Sequence, residues 1–121
     1  MPNCYEKNMN EPWFTWSKQG KKTVEGRANH ASFSKIKKGD VIIWFNDDCG
    51  PNSRRYLKTK VVTTKVYKNF EDMLKNEGLK NVIPFDDVYT IKQGTKILYH
   101  RCSKKIIDKY GVLALKFKVI K

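Results

Sequence analysis

Lys22 and Glu25, three residues apart, are the pair in this chain best suited to proton chemistry. A lysine partly desolvated in a pocket has its pKa lowered, and a carboxylate beside it can orient water or take its proton. The same two residues also make an ion pair that pins a strand to its neighbours, and spacing alone does not separate the two roles. Arg27 offers Glu25 a second cation on its own strand face, because side chains two apart in a strand point the same way. Trp13 and Trp16 recur three apart, beside Phe14. Such rings stack on bases, at ~1–3 kcal/mol per base, or pack a helix onto a core. Trp16 reads as core, and Trp13, at the start of its segment, suits either role. Lys18, Lys21 and Lys22, with Lys35, Lys37 and Lys38, make either a continuous phosphate-binding surface or a solvated face. Asp40, after Gly39, reads as a turn former.

Metal chemistry has little to stand on. Cys4, Cys49 and Cys102 are odd in number, far apart and free of any CxxC pair, and His30 and His100 add no ligand spacing. The expectation is reduced thiols in an intracellular compartment, cytoplasmic or nuclear, with no metal and no cofactor.

Charge narrows the class of partner. Twenty-five Lys and Arg stand against twelve Asp and Glu, a formal net charge of +13, which favours a polyanion. Only Arg27, Arg54, Arg55 and Arg101 are arginines. Lysine meets phosphate as a point charge, whereas arginine forks onto phosphates and base edges, so the balance favours backbone attraction over sequence readout. The length, 121 residues, fits one domain spanning 1–121, and 40% hydrophobic residues suffice for its core. No apolar run approaches the roughly 20 residues that cross a bilayer. Met1-Pro2-Asn3-Cys4-Tyr5-Glu6 lacks the pattern of a secretory signal.

The elements that must position these residues follow from local pattern. Asn10 as N-cap, Pro12 in the first turn and Gly20 at the exit frame a short aromatic helix. Lys22 to Arg27 reads as a strand, with Thr23, Glu25 and Arg27 on one face and Val24 on the other. Residues 35–40 read as a turn leading into Val41–Phe45, an apolar run expected to be covered on both faces. Asp47 to Ser53 is the strongest loop signal. Tyr56 to Tyr67, rich in Val and Thr, reads as extended. Asn69 caps a helix from Phe70 to Glu77, closed by Gly78. A second helix, around Ile91 to Cys102, carries Ile91, Thr95, Leu98 and Cys102 on one stripe, weakened by Gly94. Val112 to Ile120 alternates as a half-buried strand. Strands without a regular βαβ rhythm predict an α+β fold, with a mostly antiparallel sheet or small barrel and helices at its ends.

Taken together, Glu11-Pro12-Trp13-Phe14, Gly20-Lys21-Lys22-Thr23-Val24-Glu25-Gly26-Arg27, Lys38-Gly39-Asp40, the block from Tyr67 through Gly78 to Pro84, and Tyr110-Gly111-Val112-Leu113-Ala114-Leu115 resemble the ASCH domain. The resemblance runs in order from about Glu11 to Ile120. It implies a small PUA-like β-barrel with short helices flanking the barrel and a cleft beside the Gly20–Thr23 segment. It also implies RNA as the ligand class, with Trp13, Lys18, Lys21, Lys22, Thr23, Arg27, Lys35, Lys37 and Lys38 as the residues offered to it. One branch of the family hydrolyses N(4)-acetylcytidine with a Lys, a Thr nucleophile and a Glu, and other members are ribonucleases. Carried over, these roles fall on Lys22, Glu25 and Glu77, so a carboxylate stands where the nucleophile is expected. Thr23 is close by, but strand alternation turns it away from Lys22. An RNA-binding module is therefore the leading expectation, and a hydrolase in the same cleft is the alternative.

Overall fold

Strand β4, Arg55–Tyr67, organises the sheet. Its first half pairs antiparallel with β3, Val41–Asn46, and its second half with β5, Val112–Val119. A register shift between Val61 and Thr63 separates the two halves, and a bulge of this kind bends and twists a strand. The computed structural model describes residues 2–120. β1, Cys4–Asn8, runs parallel to β3, and β2, Val24–Ala28, runs antiparallel to β5. The order is β1-β3-β4-β5-β2, a mixed five-stranded sheet curled into a half-barrel. Its two edges meet through a side chain: Arg27 Nη2 on β2 donates to the Asn8 carbonyl on β1 at 2.8 Å.

Trp44, Ile42, Val61 and Leu115 fill the concave side with Met9 and Phe14. The first helix, α1, Trp13–Lys18, closes one end. Pro12 holds the N-cap position, and Glu11 does the capping that was expected of Asn10: its Oε1 accepts the Thr15 amide at 2.8 Å. Strand β2 opens at Val24, two residues later than the pattern suggested. Along β3, buried residues alternate with half-buried ones, so one face is fully covered and the other only in part.

The helical layer forms over β2. α2, Phe70–Glu77, is capped by the Asn69 side chain on the Asp72 amide and buries Phe70, Met73 and Leu74. α3, Leu79–Val82, follows at once, and α4, Ile91–Arg101, begins with a capping box of Thr90 and Gln93. Two glycines set the spacing of this layer. A Cβ at Gly94 would lie 2.7 Å from Leu79 Cδ1 and 3.1 Å from both Ile83 and Leu74, so α4 rests directly on α2 and α3. A Cβ at Gly26 would lie 2.6 Å from Met73 Sδ, so α2 presses equally closely on β2. α5, Lys104–Tyr110, leads back into β5. No helix among the described residues is long and apolar enough to cross a membrane.

Candidate functional site

Close approach of α2 and α4 to β2 leaves a cavity of about 350 Å³ between them. Trp13, Glu25, Arg27, Phe33, Phe70 and Arg101 give its wall its chemical character, and Leu98, Cys102 and His30 complete much of the rest. The volume falls within the ~300–1,000 Å³ of ordinary ligand clefts.

Glu25 is the electrostatic centre of the wall. Its Oε1 lies 3.2 Å from Lys22 Nζ and its Oε2 lies 3.0 Å from Arg27 Nε, so both of the cations expected for it are present. Burial alone raises this carboxyl, but Lys22, Arg27 and Arg101 outweigh burial and hold it at about 2. Lys22 sits deeper still, with a side chain 0% exposed. Its ammonium donates to the carbonyls of Val24 at 2.6 Å and Val82 at 2.7 Å as well as facing Glu25. Those oxygens engage all three of its protons, and Glu25 favours the charged form, but burial outweighs them and lowers its pKa. Lys22 precedes the strand, so the alternation rule does not govern it. This is why it meets Glu25 instead of pointing away from it.

Trp13 is 5% exposed, edge-on to Phe85 and Trp16, with Lys22 Nζ at 5.0 Å and the Arg101 guanidinium at 4.9 Å from its ring. It is a wall under a cation and not an open stacking platform. Trp16 packs on Phe85 with ring centroids 4.6 Å apart, as a core residue does. Phe33 carries Lys7 at 4.4 Å and Arg27 at 5.1 Å.

The remaining sequence candidates are scattered. Lys18, Lys22 and Thr23 line a separate recess of about 290 Å³ beside Phe117 and Lys118. Lys21, Lys35, Lys37 and Lys38 are exposed and line neither space. Glu77 accepts the Tyr67 hydroxyl and does not line the cavity. Burial and that carboxylate push Tyr67 up to about 12, which keeps it a donor. Asp40 ties the turn, accepting from the Asn3 amide at 3.0 Å and the Lys37 amide at 2.9 Å. Among the described residues no three His, Cys, Asp or Glu side chains gather as a metal site.

Sequence reasoning missed Arg101, Phe33 and His30 at this cavity. Arg101 had a readable signal. It lies three residues beyond Leu98 and beside Cys102, so helical spacing puts it at the cavity end of the apolar stripe, in a last turn that suits a basic residue in any case.

The ASCH domain model matches residues 8–121, so the chain belongs to the ASCH domain family. Among solved structures it is similar to the hypothetical protein PH0355, at 34% identity over 97% of this chain and 99% of that one, with a TM-score of 0.82. It is also similar to protein PF0455 from Pyrococcus furiosus, at 30% identity over 98% of both chains, with a TM-score of 0.73. Protein EF3133 from Enterococcus faecalis V583 shares the fold at 11% identity and a TM-score of 0.59, over 99% of this chain and 80% of that one. No curated protein matches the chain.

Proposed function

We propose that this chain is an RNA-binding protein of the ASCH family, a single PUA-like domain over 1–121 working inside the cell. In this reading the cavity over β2 holds one unstacked nucleotide, and exposed lysines attract the phosphates on either side. The observation that carries it is the cavity itself: a part-exposed ring at Phe33 with the buried Trp13 and Phe70 behind an apolar lining, and two arginines facing the same space, in a chain of net charge +13. RNA modules that read single strands seat a splayed base against aromatic rings or guanidinium planes and neutralise the backbone with cations. Lys18 and Thr23, in the adjoining recess, and Lys21 extend the contact past α1. Lys35, Lys37 and Lys38 extend it past the 3-10 turn Ala31–Lys35.

Hydrolysis in the same cleft asks for a base or nucleophile that the site does not favour. A carboxyl held at about 2 is a weak base at neutral pH, and the Lys22 nitrogen is committed to Val24, Val82 and Glu25 behind the wall, where its side chain is 0% exposed. The binding reading is tested by fluorescence anisotropy with labelled single-stranded and hairpin RNA between 50 and 200 mM salt. Neutralising several phosphates makes log affinity fall linearly with log salt, at a slope of about −0.7 to −0.9 per phosphate. Binding that is absent, or indifferent to salt, removes RNA as the partner.

A further inference from the structure

The cavity wall is not electrically balanced. Glu25 is the only carboxylate among the lining residues, whereas Arg27 and Arg101 both line the space and Lys22 stands directly behind Glu25. Lys7 adds a further cation, donating to Ser32 Oγ and lying over Phe33. Of Lys22, Arg27 and Arg101, one charge is matched by Glu25 and two are left over. Arg101 is exposed and Arg27 partly so, which lets solvent screen much of the surplus and leaves both guanidinium groups accessible to an anion entering the cavity.

Arg101 is placed to receive that anion. Among the described residues it has neither a hydrogen-bond nor an ion-pair partner, so all five of its N–H donors remain for a ligand. Its plane is held near Trp13 at 4.9 Å. Burial lowers its pKa, Glu25 pulls the other way, and the like charge of Arg27 lowers it again. Arg27 spends Nε on Glu25 and one Nη2 proton on Asn8, which leaves its Nη1 edge open. Two guanidinium groups with free edges match the oxygens of a phosphate, which arginine grips in pairs. Beyond them the lining turns apolar, with Ala28, Phe70 and Leu98.

We infer that the cavity takes a phosphate-bearing nucleotide, with its phosphate on Arg101 and Arg27 and its base against the apolar lining of Ala28, Phe33 and Leu98, and that it discriminates against neutral nucleosides. The inference rests on the RNA reading for the base and on the charge imbalance for the phosphate. A free nucleotide, a phosphorylated RNA end and an internal phosphodiester offer the same chemistry, and the experiment separates them.

The test is calorimetric titration of the full chain, at low salt, with the four nucleosides, their 5′- and 3′-monophosphates and inorganic phosphate. At least one monophosphate is expected to bind tenfold or more tightly than its nucleoside, and Arg101→Gln is expected to remove that preference. Because Arg101 has no partner, the variant should melt within a few degrees of the parent, which makes its binding result interpretable. Nucleosides that bind as tightly as their monophosphates, a preference that survives Arg101→Gln, or no monophosphate binding at millimolar concentration each overturn the inference. Short RNAs with and without a 5′-phosphate then assign the source: a gain confined to the phosphorylated end marks a terminal phosphate, and equal affinity marks an internal one. RNA binding indifferent to Arg101→Gln, without a monophosphate preference, sinks this inference and leaves the RNA reading standing. A monophosphate preference without RNA binding does the reverse.

Discussion

Replacing Glu25 with glutamine keeps the side chain's shape and removes the only charge that balances Lys22. The size of the effect follows from the site. The carboxyl drops from an ordinary 4.5 to about 2 on folding, and at 1.36 kcal/mol per unit this amounts to about 3 kcal/mol of stability. Breaking a buried ion pair from one side costs roughly 3–5 kcal/mol by direct comparison, so the two routes agree. Little discount for solvent applies, because the Glu25 side chain is 9% exposed and that of Lys22 0%. The sign is fixed by the direction of the shift. A depressed carboxyl contributes fully above its unfolded pKa of 4.5, and the contribution is lost as pH falls toward 2. Urea unfolding of wild type and Glu25→Gln, followed by circular dichroism, should therefore differ by about 3 kcal/mol at pH 7. The gap should close between pH 4.5 and pH 2. Acid also raises the net charge, but it does so in both proteins, so the difference isolates Glu25. A gap below about 1 kcal/mol at pH 7, or one that stays constant across the acid window, refutes the reasoning.

Three further outcomes are expected. N(4)-acetylcytidine incubated with the wild-type chain should show no deacetylation above background by chromatography, since Glu25 is a weak base and the Lys22 protons are engaged. Gly94→Ala should lower stability by up to about 2 kcal/mol in thermal melts, because an overpacking cost of about 1–3 kcal/mol against Leu79, Ile83 and Leu74 is offset by a ~1 kcal/mol gain in helix propensity. Reversing Lys35, Lys37 and Lys38 to glutamate should reduce the salt slope of RNA binding while leaving mononucleotide titrations unchanged, because all three are exposed and none lines the cavity.

Periodicity and capping made much of this fold legible. Asn69, with Gly78 beyond it, bounded α2 correctly, and Val and Thr enrichment marked β4, because each signal is local and strong. β1 went unread because Cys4-Tyr5-Glu6-Lys7-Asn8 is an edge strand with little to bury, and its pairing with β3 bridges 37 residues of sequence. α5 went unread because only Ile107 of its seven residues is buried, so it carries no apolar stripe. At the site, the Lys22–Glu25 and Glu25–Arg27 contacts were open to sequence because they are short-range. Arg101 reaches the same carboxylate's field only through the packing of α4 on α2 and α3. No pattern within β2 could announce that.

The arrangement also explains what a glutamate does at the position where a hydroxyl nucleophile is expected. A threonine there would leave Lys22 without a counter-charge beside it, and its pKa, already lowered by burial, would fall further toward the range in which an amine transfers protons. Glu25 instead favours the charged form of Lys22 and takes Arg27 on its other oxygen, which aims Arg27 across the edge of the half-barrel to Asn8. The same carboxylate thus faces two cations at once and, through Arg27, braces the two sheet edges. What remains active at the cavity is the charge it cannot neutralise, on Arg101 and the free edge of Arg27. On the proposed binding reading, that surplus is what an anion meets, and Glu25 stands at the position where the family resemblance places a nucleophile.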